Sequence, residues 1–318
     1  MSFDAAQWEI LASCCGSKII MSHPGAYKDP EQLIENIIQH DVTTLQCVPT
    51  LLQALLDTDI FHNCKSLTQI FSGGEILSKK LALQCLEVLP ECDLTNLYGP
   101  SECTINASAF KVDKNTIADC SEAISIGTPV RNTQFYILND PQSLAQVGEI
   151  GELYIGGVQL ARGYINRPEL TEERFVSDRF STCSGSGKLY KTGDLAYGNA
   201  DGTVQFVGRA DNQVKLRGFR IELDEVKLEI EKHDWVKNAA VIVKKNSRTG
   251  HSDLIACIEL SATQAALMDR GIHAEHHLSK KNKLQVKAQL SNLGYRDIVD
   301  SDRNMASDLP GKTPTQEQ

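Results

Sequence analysis

Apolar positions in the first hundred residues follow two alternating rhythms. Leu33, Ile34, Ile37 and Ile38 recur at helical spacing across 31–39, which predicts an amphipathic helix. Val42 to Val48 is short, apolar and β-branched and predicts a strand; Pro49-Thr50 then opens a leucine-rich helix. Leu67 to Phe71 reads as a second strand that stops at Ser72-Gly73-Gly74. Ser78 to Leu89 reads as a helix capped by Ser78, and Leu94 to Tyr98 as a strand broken by Gly99-Pro100. Strands alternating with helices predict a parallel sheet with crossover helices. Ligands on such sheets bind beyond the carboxyl ends of the strands. Ser72-Gly73-Gly74 and Tyr98-Gly99-Pro100-Ser101 fall at those ends.

The texture changes near residue 124. Segments 133–138, 150–156 and 203–207 read as strands separated by Gly, Pro and Asn turns, without long helices between them. This predicts a mainly β region beside the α/β layer. A second shift comes at Asp211. Leu223 to Lys232 reads as a helix with Val226 and Ile230 one turn apart, and Ala239–Val243 and Leu254–Leu260 read as strands. The expected organisation is a large, partial domain over 1–210, the beginning of a small α+β domain over 211–265, and a polar tail or linker over 266–318.

Composition narrows the function classes. The chain has 318 residues, 41% of them hydrophobic, and a net charge of -9. That acidity argues against a nucleic-acid partner, which calls for a basic face. No apolar run reaches the length of a membrane helix and no signal peptide is present, so the expectation is a cytoplasmic protein with no membrane partner. The ten cysteines include no CxxC pair, which fits reduced thiols rather than a zinc site or a disulfide framework. His273, His276 and His277 cluster in the polar tail and read as solvated surface. The phosphate loop GxxxxGK[ST] and the GxGxxG, GxSxG and HExxH signatures are all absent.

Five strings carry more, read together: Phe3-Asp4-Ala5-Ala6-Gln7-Trp8-Glu9; Asn96-Leu97-Tyr98-Gly99-Pro100-Ser101-Glu102-Cys103-Thr104; Gly151-Glu152-Leu153-Tyr154-Ile155-Gly156-Gly157 running into Ala161-Arg162-Gly163-Tyr164; Tyr190-Lys191-Thr192-Gly193-Asp194-Leu195; and Gly208 to Leu223, GRADNQVKLRGFRIEL. In this order they closely resemble the adenylate-forming family, and within it the amino-acid adenylation domains of nonribosomal peptide synthetases. The resemblance covers residues 1 to about 260. It implies attack of an amino-acid carboxylate on the α-phosphate of ATP, loss of pyrophosphate, and transfer of the aminoacyl group to a phosphopantetheine thiol. The partners it implies are a peptidyl carrier protein domain and a neighbouring condensation domain.

The same resemblance assigns residues. Gly73, Gly74, Glu75, Asn96, Tyr98, Gly99 and Ser101 would surround the nucleotide, with Tyr98 offering a flat face to adenine and Ser101 a hydroxyl to phosphate. Glu102 is a hard oxygen ligand suited to Mg²⁺. Asp194 can accept the two hydroxyls of a ribose, with Arg209 on the same sugar and Phe206 against the base. Asp4 would pair with the substrate ammonium. Ala5, Trp8, Gln46, Phe71, Gly73, Leu97, Ile105 and Asn106 would line the side-chain pocket. Gln46 and Asn106 are amides in an apolar lining, and buried amides need partners; the set looks like pockets that select glutamine. Asp211 resembles the hinge between large and small domains, and Gly218 the small-domain loop that admits pantetheine.

Two departures from the family pattern stand out. The Ser/Thr/Gly-rich phosphate loop expected before Phe3-Asp4 is missing, so the chain reads as an N-terminally truncated fragment. The small-domain lysine has only one candidate, Lys312, 94 residues after Gly218, and it lacks the family's surrounding residues. Two other readings therefore stay open: a chain that only binds nucleotide or docks a carrier protein, and an acyl-CoA ligase.

Overall fold

The computed structural model describes residues 5–114, 117, 121–140, 143–180, 187–233, 235–245 and 252–260. Asp4, Lys312 and the tail beyond 260 lie outside them, as does the side chain of Ala5. The chain divides into two units, Met1–Asp211 and Asn212–Gln318.

The first unit opens with helices α1 (Ala5–Ala12), α2 (Pro30–Gln39), α3 (Pro49–Leu56) and α4 (Lys79–Val88). Each predicted helix start has a local cause. Asp29 caps α2 by accepting from Gln32 N–H, with Pro30 at the first helical position. Ser78 caps α4 by accepting from Leu81 N–H at 3.2 Å. Of the periodic residues of α2, Ile34 and Ile37 are buried and Ile38 is exposed.

Strands β1 (Thr44–Cys47), β2 (Gln69–Gly73), β3 (Asp93–Tyr98), β4 (Ser108–Val112) and β5 (Thr128–Pro129) form one sheet in that order. β1, β2 and β3 run parallel, as the alternation with helices predicts. β4 and β5 add antiparallel, so the sheet is mixed rather than purely parallel. Only residues 99–107 separate β3 from β4, too few for the crossover a parallel strand requires. The helix-covered face buries Leu52, Leu55, Ile70, Leu77 and Leu94 in one core.

A second sheet holds β6 (Thr133–Asp140), β7 (Ser143–Leu144), β8 (Gly151–Gly157), β9 (Phe175–Ser177), β10 (Lys188–Gly198) and β11 (Val204–Arg209), in the order β11-β10-β8-β6-β7 with β9 on β10. Its pairings are antiparallel, and short helix α5 (Pro168–Arg174) precedes β9. A core of Tyr98, Cys103, Leu153, Ile155, Tyr190 and Val204 joins residues of both sheets. Asp194 lies inside β10. There the pairing with β8 slips between Lys191 and Leu195, an irregularity of the kind that re-aims a side chain.

The second unit contains hairpin β12 (Gln213–Leu216) and β13 (Phe219–Glu222), helix α6 (Leu223–Glu231) and hairpin β14 (Val236–Lys245) and β15 (Ser252–Leu260). Leu216, Ile221, Val226, Ile230 and Val236 form its core.

Candidate active site

Four of the five sequence strings supply the surroundings of two carboxylates. Asp194 is 3% exposed. Its Oδ2 accepts from the Tyr98 hydroxyl and its Oδ1 from Arg209 Nη1 at 2.8 Å. A buried charge is tolerable when paired and hydrogen-bonded in this way. Burial first, and then the Asp194 charge, push the Tyr98 hydroxyl well above the usual tyrosine range, so Tyr98 stays the donor. Burial alone would lower the Arg209 pKa, but hydrogen bonds and charge from Asp211 and Asp194 outweigh it and raise it. Arg209 also donates to the Thr192 carbonyl at 2.8 Å. The sequence held no signal for the Tyr98–Asp194 bond, because the two residues stand 96 positions apart.

Glu102, 8% exposed, lies in the 3₁₀ turn Ser101–Cys103 just after β3. Its Oε1 accepts from the Tyr164 hydroxyl at 2.7 Å. The third string is thereby tied to the second, a link reinforced by Ala161 N–H to the Glu102 carbonyl at 2.8 Å. Asp194, Tyr98 and Arg209 thus form one hydrogen-bonded group, and Glu102 with Tyr164 a second. Phe206 packs partly buried on the core that contains Tyr98.

The remaining nucleotide candidates are less uniform. Gly73 ends β2 with its Cα facing Leu97, where a Cβ would stand 2.7 Å from the Leu97 carbonyl oxygen. Gly74 follows with φ +85°, and Gly99 and Ser101 lie just past β3. Asn96 donates to the Ser125 carbonyl at 2.8 Å, while its Oδ1 is buried with no hydrogen-bond partner among the described residues. Glu75 turns toward α3 and accepts from the backbone N–H of Thr50 at 3.1 Å and from its hydroxyl. A carboxylate there favours the positive end of the helix.

Register gathers the pocket candidates. Gln46 pairs with Phe71, and Gly73 with Leu97, across adjacent strands. Because side chains alternate, Gln46, Phe71, Gly73 and Leu97 share one face of the sheet, opposite the face of Cys47, Ser72 and Asn96. Trp8 stands edge-on to Phe71 with ring centroids 5.5 Å apart. Gln46 Oε1 is buried and has no hydrogen-bond partner among the described residues. Thr104 and Ile105 follow Glu102 with φ of 57° and 72°, a conformation a β-branched residue rarely adopts. Asn106 is half-buried beside them.

Asp211 closes the first unit, and both of its oxygens accept from Arg209, at 2.9 and 2.6 Å. In the second unit, Arg217 and Gly218, with φ of 53° and 79°, form the two-residue turn between β12 and β13. A hairpin turn with positive φ at both positions itself calls for glycine, so the local fold accounts for Gly218.

With this fold and these clusters in place, the comparisons converge. The chain belongs to the AMP-binding enzyme family, whose model matches residues 1–165. It is 56% identical over 318 residues to an indigoidine synthase of Dickeya dadantii (strain 3937), covering 100% of this chain and 21% of that protein. It is 60% identical over 320 residues to an indigoidine synthase of Streptomyces lavendulae, covering 100% and 25%. A plipastatin synthase of Bacillus subtilis (strain 168) is 40% identical over 263 residues, covering 81% and 7%. The chain thus spans about a fifth to a quarter of the length of the two indigoidine synthases. Among solved structures, the Vibrio cholerae adenylation domain AlmE, in complex with glycyl-adenosine-5'-phosphate, aligns with a TM-score of 0.70 at 27% identity, over 81% of this chain and 48% of that one. Holo-PA1221, a synthetase protein containing adenylation and carrier-protein (PCP) domains, aligns at 0.66 with 29% identity, over 75% and 41%. The fold is that of adenylation domains, and the family is that of adenylate-forming ligases. Among the described residues no helix is long and apolar enough to cross a membrane.

Proposed function

We propose that this chain activates L-glutamine as its aminoacyl adenylate at the expense of ATP, within a nonribosomal peptide synthetase. The observation that carries the choice of substrate is the buried Oε1 of Gln46, unpartnered among the described residues, on the face it shares with Phe71, against which Trp8 packs. An amide oxygen needs a donor. The side-chain NH₂ of glutamine supplies one, the carboxylate of glutamate only accepts, and leucine offers nothing. Trp8 and Phe71 would cover the methylenes, and Asp4 would pair with the ammonium.

Asp194 and Arg209 would take the ribose, Phe206 and Tyr98 the base, and Ser101 a phosphate oxygen. Glu102 is a hard oxygen donor of the kind Mg²⁺ accepts beside phosphate oxygens, and Mg²⁺ there would neutralise charge on the triphosphate. The aminoacyl group would then pass to the phosphopantetheine of a carrier protein, with Asp211 as the hinge, Gly218 on the loop that admits the thiol, and Lys312 on the substrate carboxylate. Exchange of labelled pyrophosphate into ATP with glutamine, glutamate and leucine tests the reading. An unpaired buried acceptor costs about 1–3 kcal/mol, so glutamine should exceed leucine by roughly five- to hundredfold. Gln46→Leu should erase that preference. Exchange with none of the twenty amino acids, on this chain and on a form extended at its N-terminus, would leave a chain that only binds nucleotide or docks a carrier protein.

A further inference from the structure

Tyr164, in the third string, has no part in the reaction proposed so far. Gly163-Tyr164 is seated on Thr171 of α5. The Tyr164 N–H donates to Thr171 Oγ1 at 2.9 Å, and the same hydroxyl donates to the Arg167 carbonyl at 2.8 Å. Gly163 holds φ +144° with the Thr171 side chain where its Cβ would be, so only glycine lets the loop lie this close. The Tyr164 ring then stands edge-on to Phe175, centroids 5.7 Å apart. Its hydroxyl reaches Glu102 Oε1 at 2.7 Å and lies 3.5 Å from that of Tyr190. Backbone, ring and hydroxyl are thus each fixed by a separate neighbour, and the fixed hydroxyl ends on a carboxylate. The loop that carries Tyr164 is also tied to the Glu102 turn by Thr104 Oγ1 to the Gln159 carbonyl at 2.7 Å.

We propose that Tyr164 is a positioning residue that orients the Glu102 carboxylate for a divalent cation, with Thr171 holding Tyr164 in place. The inference rests on the assignment of Glu102 to Mg²⁺. Glu102 is 8% exposed, and the hydrogen bond from the Tyr164 hydroxyl fixes the direction of its Oε1. Removing a group that orients a metal ligand typically costs about ten- to hundredfold in metal affinity.

Mn²⁺ titration of the full chain in the presence of ATP, read by electron paramagnetic resonance, tests this on wild type, Glu102→Gln, Tyr164→Phe and Thr171→Val. The expected result is about tenfold to hundredfold weaker Mn²⁺ binding in Tyr164→Phe. Metal-free ATP affinity should stay unchanged, and Thr171→Val should show a smaller loss in the same direction. A purely structural tyrosine would move both affinities together, and that result would overturn the proposal. If Glu102→Gln weakens Mn²⁺ binding while Tyr164→Phe matches wild type, the positioning role fails and Glu102 keeps its assignment. If neither variant weakens it, or wild type shows no ATP-dependent Mn²⁺ binding, the assignment of Glu102 fails and the inference with it. Should Tyr164→Phe not fold, Thr171→Val decides, and unchanged Mn²⁺ affinity there overturns the proposal.

Discussion

Arg209 and Asp211 form a two-pronged ion pair directly over Gly193. A Cβ at residue 193 would stand 2.9 Å from both Arg209 Nη2 and Asp211 Oδ2, and Gly193 holds φ +74°. The Ala210 N–H donates to the Gly193 carbonyl at 2.8 Å, closing the same contact from the backbone side. The glycine in Thr192-Gly193-Asp194 is therefore needed twice, for its backbone angle and for the space it leaves. Arg209 in turn carries the order of this corner to the buried Asp194.

Gly193→Ala should destabilise the first unit beyond the left-handed backbone cost of about 1–2 kcal/mol, because the ion pair must also shift. Gly202→Ala is the control: Gly202 has φ +84° and, its chain neighbours aside, no described residue within 4 Å of where a Cβ would stand. Thermal melts should place Gly193→Ala several degrees below Gly202→Ala, at roughly 2–4 °C per kcal/mol for a unit of this size. Equal melting temperatures would show that the ion pair yields at no cost.

Asp194→Asn keeps the side chain's size while weakening its acceptors. Hydrogen bonds to charged groups are worth about 1.5–3 kcal/mol, so ATP affinity should fall roughly ten- to hundredfold. Calorimetric titration with ATP checks this, and an unchanged dissociation constant would remove Asp194 from the nucleotide site.

The parallel strands β1 to β3, the capped helices and the β-rich second half were legible in the sequence because periodicity and caps are local signals. The antiparallel turn into β4 was not, since a connection's length declares direction only once both strands are known. The site strings were legible by resemblance to a family, but their mutual contacts were not: Tyr98–Asp194 and Tyr164–Glu102 span 96 and 62 positions. Glu75 shows the limit of motif reasoning. It follows the Gly73-Gly74 pair of the nucleotide candidates, yet the structure aims its carboxylate at Thr50.

The buried thiols should make stability fall in alkali. Burial, followed by its neighbour Cys92, pushes Cys85 up to about 12, and burial pushes Cys64 up to about 11. An ordinary thiol in the unfolded chain titrates near 8.5. From about pH 8.5 upward the unfolded state therefore holds fewer protons than the native state. Stability is then fully present below that pH and declines as pH rises toward the native values. Urea midpoints at pH 7.5 and 9.5 should show the decline, and Cys85→Ala should flatten it. In native protein, thiol labelling should mark the exposed Cys14, Cys15 and Cys257 and spare the buried Cys47, Cys64, Cys85, Cys92 and Cys103.

Ile105 sits in the left-handed region at φ 72° directly after Thr104 at 57°, in the turn that follows Glu102. A β-branched residue held there costs of order 1–3 kcal/mol. Ile105→Gly removes that strain but also a half-buried aliphatic side chain, whose loss at an unstrained site would cost about 2 kcal/mol or more. The two effects oppose, so chemical denaturation should place Ile105→Gly within about 1 kcal/mol of wild type. A pocket that has lost one wall should select less sharply, so the preference for glutamine over leucine in pyrophosphate exchange should fall severalfold. A loss of 3 kcal/mol or more would show that the backbone is not strained at Ile105. Intact selectivity would place the side chain outside the pocket, leaving Ile105 a turn residue whose conformation is imposed by Thr104 Oγ1 holding the Gln159 carbonyl.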